Sequence, residues 1–216
     1  MKTMVVIPCM DMMHTDFVIS KDGMRHDGNI KFVYCASSLV YDSRNSLARR
    51  AILEGFDRVL WLDSDMKLPP DLLTKLSADL DEGRDMVSGL YVSRKPPIKP
   101  VIYSAIGYDH VEGSMEVKPY AKQYYDYPLD SIFEVEACGF GAVLMNTSLL
   151  EEVEKKFGLP FAPIMGFGED LSFCLRVKEL GKKIYCDSTV KVGHVGLITY
   201  CEEMYLAGKE RQCLQK

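Results

Sequence analysis

The chain has 216 residues, of which 47% are hydrophobic and 26% are charged, and its formal net charge is −5. This length suits one α/β domain or at most two tightly fused halves, and the acidic balance argues against non-specific nucleic-acid binding, which needs a basic surface. No apolar run approaches the roughly 20 residues of a transmembrane helix, and the seven cysteines form no C-x-x-C pair, so we expect a cytoplasmic protein with reduced thiols and no transmembrane segment.

The first ninety residues alternate between short apolar runs and helical patterns. A buried strand is predicted at residues 4–7, further strands at residues 29–35, 58–62 and 85–91, and helices at residues 43–54 and 69–83. This alternation indicates an α/β fold with a mostly parallel central sheet and helices on both faces. Ligands bind such sheets beyond the carboxyl ends of the strands, which makes those ends the first place to look for a site.

The second half of the chain is less regular. Strands are predicted at residues 101–104, 133–145 and 183–192, helices at residues 148–157 and 169–180, and loops or a small side sheet at residues 107–131. We treat residues 1–216 as a single domain with a nucleotide-binding half, an acceptor half and a C-terminal tail. These parts are residues 1–105, 106–200 and 201–216, respectively.

A D-x-D tripeptide, Asp63-Ser64-Asp65, directly follows the apolar strand at residues 58–62. In an extended backbone, residues i and i+2 point to the same side, so the two carboxylates are expected to converge on one cation. Carboxylate oxygens suit Mg²⁺ or Mn²⁺, and such an ion can neutralise a departing diphosphate. The pattern favours a metal site over the alternative, a polar turn after a strand.

An acidic pair, Glu169 and Asp170, opens the helix at residues 169–180 after a Gly-Phe-Gly run. Acids are favoured in the first turn of any helix by the helix dipole, which is the alternative explanation. The preceding glycines, however, let backbone and substrate approach closely. A carboxylate in this position is suited to removing a proton from an acceptor hydroxyl.

His194 lies between two glycines at the end of the last predicted strand. A lone histidine is more often structural, but Mn²⁺ accepts imidazole. With two carboxylates in the D-x-D, His194 is a candidate third metal ligand.

Four further residues are assigned to nucleotide binding. Arg44 is suited to clamp a phosphate or a base, with Asn45 beside it as a helix cap; a surface arginine with a capping asparagine is the alternative. Gly139 and Gly141 indicate a tight turn against a ligand, or a β-bulge. Pro8, which ends the first strand, completes this set.

In their order along the chain, these segments resemble family 2-type glycosyltransferases of the GT-A fold. The matching segments cover most of residues 4–196, and they read DSRNSLARRAILEGFDRVLWLDSD, SGLYVSRKPP, ACGFGAVLM, GFGEDLSFCLRVKELGKKIYCD and GHVG. Many such enzymes carry an acid after the second strand that reads the nucleobase. The corresponding region here is CASSLVYDSRN, in which Asp42 is the candidate.

The resemblance also implies a role for each acidic residue. Asp63 would contact the nucleotide ribose or the metal, and Asp65 would hold the metal with the diphosphate. Asp170 would be the general base of an inverting transfer, and Glu169 would hold the acceptor. His194 would be the remaining metal ligand.

The predicted function is the metal-dependent transfer of a sugar from a nucleotide-diphosphate donor to a hydroxyl acceptor. A UDP-sugar is favoured and a GDP-sugar is the second choice, with Mn²⁺ or Mg²⁺ as cofactor. One alternative is a nucleotidyltransferase, although the first strand ends in Pro-Cys-Met-Asp rather than in a glycine-rich basic loop. The other is a non-catalytic nucleotide-sugar-binding module, which needs no acid at position 170.

Overall fold

The computed structural model describes residues 1–37, 39–110, 113, 115–196 and 199–213, with side chains up to residue 209. Thirteen strands are found in these ranges: β1 Thr3–Cys9, β2 Ile30–Ala36, β3 Arg58–Leu62, β4 Met66–Lys67, β5 Met86–Leu90, β6 Ile102–His110, β7 Val117–Gln123, β8 Ile132–Val135, β9 Ala137–Cys138, β10 Ala142–Asn146, β11 Ile184–Lys191, β12 Gly193–Val195 and β13 Thr199–Tyr200. Six helices accompany them: α1 Thr15–Asp22, α2 Val40–Leu53, α3 Leu72–Asp81, α4 Thr147–Phe157, α5 Glu169–Glu179 and α6 Glu202–Cys213.

The central sheet has seven strands in the order β2-β1-β3-β10-β5-β11-β8. β1 runs parallel to β2 and to β3, and β11 runs parallel to β5. β10 lies antiparallel between β3 and β5, so β3 and β5 share one direction, and β8 is antiparallel at the edge. Five of the seven strands therefore point the same way, which confirms the predicted mostly parallel α/β sheet.

Helices cover both faces of the central sheet, as the sequence predicts. Along β1, Met4 and Val6 belong to one buried apolar cluster, while Val5 and Ile7 belong to another, because successive side chains of a strand point to opposite faces. The first cluster packs under α2, α4 and α5, and the second packs under α1 and α3. The uninterrupted apolar sequence of β1 follows from this burial on both sides.

Two local features differ from the sequence-based predictions. Residues 133–145 form three strands rather than one, because the Gly139–Gly141 segment separates β9 from β10. The sequence does not predict α1. Phe17 is its one buried residue, so the segment has no apolar periodicity that would indicate a helix. The small side sheet exists as β7-β6-β9, and residues 111, 112 and 114 lie outside the described part.

The C-terminal segment, predicted as a tail, contains α6. Its first residue, Glu202, has a side chain that is 3% exposed. The Tyr127 hydroxyl donates to Glu202 Oε1 at 2.9 Å, and Lys191 Nζ lies 2.9 Å from Oε2. Tyr205, one turn further on, stacks on Tyr127. The helix is thus held on the core by the buried carboxylate of Glu202 and by the ring of Tyr205.

No helix in the described ranges is long and apolar enough to cross a membrane. The six cysteines with described side chains are free thiols, as predicted.

Replacing Glu202 with alanine is expected to loosen α6. The change leaves the buried Tyr127 hydroxyl unpaired, which costs about 1–3 kcal/mol of unfolding free energy. Chemical denaturation and limited proteolysis of the C-terminal helix measure this effect. Glu203→Ala removes an exposed acid from the next position and serves as the control. Equal stability of the two variants would contradict the docking role of Glu202.

Candidate functional site

A cleft of about 280 Å³ opens at the carboxyl ends of β1, β2 and β3. Its described lining brings together segments far apart in the sequence: Pro8, Cys9, Met10, Ser37, Val40, Ser43, Arg44, Asp63, Ser64, Asp65 and Glu169. Five of the predicted site residues are among them. The cleft therefore lies where a parallel sheet is expected to bind its ligand.

The D-x-D is a turn and not an extended segment, which corrects the sequence-based geometry. Met66 N donates to Asp63 O at 3.2 Å across the turn that joins β3 to β4. As a result the two carboxylates have different partners, although both line the cleft. Asp63 Oδ1 accepts from Arg44 Nη2 at 2.7 Å, while Asp65 Oδ2 faces His194 and Arg94.

Arg44 is a buried cation, with a side chain that is 2% exposed. Its Nη2 binds Asp63, and its Nε donates to Glu169 Oε1 at 3.3 Å. Its Cζ lies 5.7 Å from the ring centroid of Trp61 and 5.2 Å from that of Phe140. Burial by itself would lower the pKa of Arg44, but nearby negative charges, that of Asp63 foremost, outweigh it and raise the pKa.

This environment excludes the surface-arginine explanation for Arg44. The neighbouring Asn45 is not a helix cap, because α2 begins at Val40, three residues earlier than predicted. Asn45 Oδ1 instead accepts from Phe161 N at 2.8 Å. The binding of phosphate by Arg44 stays a prediction. In the structure Arg44 contacts protein carboxylates and aromatic rings.

His194 is brought beside the D-x-D by a small sheet of order β13-β12-β4, in which His194 pairs with Met66. Its Nδ1 lies 2.8 Å from Val92 O, so Nδ1 carries a proton and donates it to that carbonyl. Its Nε2 lies 3.4 Å from Asp65 Oδ2. The predicted proximity of His194 to the D-x-D is therefore present in the structure.

In this position Asp65 is a stronger acid than an ordinary aspartate. Burial opposes its ionisation, but the contact with His194 and the charges of His194 and Arg94 hold the pKa of Asp65 below its usual value. Asp63 behaves oppositely: burial, together with the charges of Asp65 and Glu169, raises its pKa despite Arg44. In the described part of the chain, no group of three or more His, Cys, Asp or Glu side chains is arranged to hold a metal ion.

The loop before α5 is fixed by three side chains from its surroundings. Asn45 binds Phe161 N, Ser172 Oγ accepts from Ile164 N at 2.8 Å, and Arg176 Nη1 donates to Pro160 O at 3.2 Å. These bonds set the start of α5 against α2. The acidic pair at the start of α5 therefore has a defined position relative to Arg44.

The two acids of α5 have different surroundings. Glu169 lines the cleft beside Asp63 and binds Arg44, whereas Asp170 is not among the described lining residues. Asp170 Oδ1 accepts from Leu171 N at 2.7 Å. Burial first, and then the charge of Glu169, raise the pKa of Asp170 to about 6.

Gly139 and Gly141 have a packing role around Tyr91. A Cβ atom at Gly139 would lie 2.0 Å from Tyr91 Oη, and one at Gly141 would lie 2.8 Å from Met66 Sδ. The Tyr91 ring meets the His194 ring edge-on, with centroids 5.6 Å apart. The glycines therefore make room for a tyrosine that supports His194, and a nucleotide contact by either glycine stays a prediction.

Sequence reasoning missed three residues near the acids. Arg94 pairs with Asp65, Tyr91 packs on His194, and Tyr103 of β6 lies close enough to Asp170 that burial and then the Asp170 charge raise the pKa of Tyr103 to about 12. Tyr91 and Arg94 follow the carboxyl end of β5, so the strand-end rule could have found them. Nothing in the sequence pattern points to Tyr103.

Asp42, the candidate base-reading acid, is exposed on α2 and is not among the described residues that line the cleft. The geometry therefore gives no support to that role.

Fold and site define an α/β domain with an acidic cleft at the carboxyl ends of a mostly parallel sheet. No protein-family model matches the chain, and no curated protein matches it. Several solved structures are similar to the chain. One of them is the crystal structure of A197 from STIV, which matches with a TM-score of 0.64 and 20% sequence identity over 91% of this chain and 86% of that chain. At this identity the likeness shows a shared fold and nothing about activity.

Arg44→Ala is expected to lower the free energy of unfolding by about 3 kcal/mol, because it leaves carboxylates without their buried counter-ion. Arg49→Ala removes an exposed arginine from the same helix and is expected to change stability by about 0.5 kcal/mol or less. Urea denaturation of the two variants compares them. A loss no larger than that of Arg49→Ala would show that the buried contacts of Arg44 contribute little.

Proposed function

We propose that the chain is a metal-dependent glycosyltransferase of the GT-A fold that moves a sugar from a nucleotide-diphosphate donor to a hydroxyl acceptor, with inversion. One observation carries the proposal: the cleft at the strand ends joins the D-x-D turn to the start of α5, with His194 against Asp65. These are the residues that donor binding and proton removal need. A UDP-sugar is the favoured donor and a GDP-sugar the second.

The donor side is formed by the ends of β1 and β3. Pro8 and Asp63 line the cleft, and Asp63 is held by Arg44. Because Arg44 already joins Asp63 to Glu169, we assign it the positioning of these two carboxylates. Glu169 lines the cleft beside Asp63, and we assign the acceptor side to its neighbour Asp170.

The donor set around Asp65 fits a divalent cation. His194 Nδ1 is bound to the Val92 carbonyl, which leaves Nε2 facing Asp65 Oδ2 at 3.4 Å. A backbone partner on the remote nitrogen is the usual support of a metal-binding histidine. Asp65 and His194 would hold Mn²⁺ or Mg²⁺, which supplies positive charge to a leaving diphosphate when bound.

We assign to Asp170 the removal of the proton from the acceptor hydroxyl. A general base works best with a pKa near the working pH, and burial beside Glu169 raises the pKa of Asp170 to about 6. The single bond that Asp170 accepts from its own helix leaves carboxylate capacity for a substrate. A non-catalytic binding module has no need of a proton-accepting carboxylate at position 170.

The proposed function is tested by measuring the binding of a panel of nucleotide sugars in the presence of Mn²⁺. Each nucleotide sugar that binds is then used in a transfer and hydrolysis assay. Binding of nucleotide sugars without turnover would support the non-catalytic module. Release of diphosphate from nucleoside triphosphates would support the nucleotidyltransferase.

Asp65→Ala is expected to abolish Mn²⁺-dependent UDP binding, because it removes a direct ligand from a site with few protein ligands. His194→Ala should weaken binding less. Calorimetric titration of UDP in the presence of Mn²⁺ measures both. Asp57→Asn, at the opposite end of β3, is the control and should bind normally. Unchanged affinity in Asp65→Ala would remove Asp65 from the metal site.

Asp170→Asn is expected to keep the fold and nucleotide binding but to reduce transfer by roughly two to four orders of magnitude. In the unsubstituted enzyme the rate should fall as the pH drops through about 6, because the base becomes protonated below its pKa. The residual rate of Asp170→Asn should lack this dependence.

Transfer rates over a pH series, with Glu179→Gln at the other end of α5 as control, decide the role of Asp170. An unchanged pH profile in Asp170→Asn, or a product with retained anomeric configuration, would assign the proton to another group.

A further inference from the structure

Asp65 Oδ2, the oxygen that faces His194, already has a cationic partner. Arg94 Nη1 donates to this same oxygen, and His194 Nε2 lies 3.4 Å from it. The far nitrogen of His194 is bound to Val92 O. The position that a divalent cation would take on Asp65 is therefore held by the guanidinium of Arg94.

The two arginines of the site are held very differently. Arg44 is 2% exposed, lies between aromatic rings and binds two carboxylates, whereas the Arg94 side chain is 45% exposed. Exposed ion pairs are weak, because water solvates both partners once they separate. Arg44 is thus fixed in the protein, and Arg94 is the arginine that a competing cation displaces.

Arg94 also has a well-defined attachment beside the cleft. It follows Ser93, whose backbone N–H donates to Lys99 O at 2.8 Å and whose Oγ accepts from Lys99 N at 3.1 Å. These bonds close a short loop beyond β5, next to the isolated bridge between Val92 and Pro100. Arg94 lies in this closed loop, so a released side chain stays close to Asp65.

We propose that Arg94 is a built-in counter-cation of Asp65, which a divalent cation displaces and which then binds the diphosphate of the donor. The first step rests only on the proposed metal site at Asp65, and the second rests also on the proposed donor. A guanidinium binds phosphate oxygens through paired, charge-assisted hydrogen bonds. Arg94 thereby protects Asp65 before loading and contributes positive charge to the leaving group afterwards.

This role predicts effects of opposite sign in one variant. Arg94→Gln should bind Mn²⁺ alone more tightly, by up to about fivefold, because the competitor for Asp65 is gone. The same variant should bind UDP in saturating Mn²⁺ more weakly, by about 10- to 100-fold, because a charged donor to the diphosphate is lost. A purely structural role would weaken both.

Titration of free Mn²⁺ by electron paramagnetic resonance measures the first effect, and calorimetry with UDP measures the second. Lys95→Gln removes an equal charge from the next position and should show neither effect. Unchanged or weaker Mn²⁺ binding in Arg94→Gln overturns the displacement, and unchanged UDP binding overturns the diphosphate contact. Equal effects in Lys95→Gln would mean that both changes in binding come from the general loss of positive charge, and they would overturn the proposal. If both effects appear but no sugar is transferred, the Arg94 inference stands and the proposed function fails.

Discussion

The candidate site depends on the burial of one arginine between two acidic motifs. Arg44 binds Asp63 at the end of β3 and Glu169 at the start of α5, two residues more than a hundred positions apart in the chain. A buried guanidinium is costly unless its hydrogen bonds and charge are satisfied. The two carboxylates offset its charge, the rings of Trp61 and Phe140 pack against it, and among the described residues Arg44 Nη1 has no hydrogen-bond partner. The position of each acidic motif is thus tied to that of the other.

Two of the acids near the site have different ionisation properties. Asp65, beside His194 and Arg94, has a lowered pKa, whereas the pKa of Asp170 is raised because it is buried next to Glu169. One carboxylate suited to staying ionised and one suited to exchanging a proton therefore occur in one region of the protein. Metal binding and general-base catalysis require these two different properties.

Support around the acids comes from residues that would not contact a substrate. Tyr91 occupies the space that Gly139 and Gly141 leave open and packs against His194. Ser172 and Asn45 hold the loop that leads into α5. Such supporting contacts limit the movement of His194 and of the acids at the start of α5.

The sequence by itself determined the α/β class, the mostly parallel sheet, the strand end at which the D-x-D lies and the helix start at which Glu169 and Asp170 lie. These follow from local periodicity and from the direction rule of parallel sheets. Only the tertiary structure decided that the D-x-D is a turn, that β10 lies antiparallel between β3 and β5, and that Arg44 is buried. It also placed Arg94 on Asp65. The strand order, the burial of Arg44 and the Arg94 contact depend on contacts between distant segments, whose partners leave no periodic pattern in the sequence.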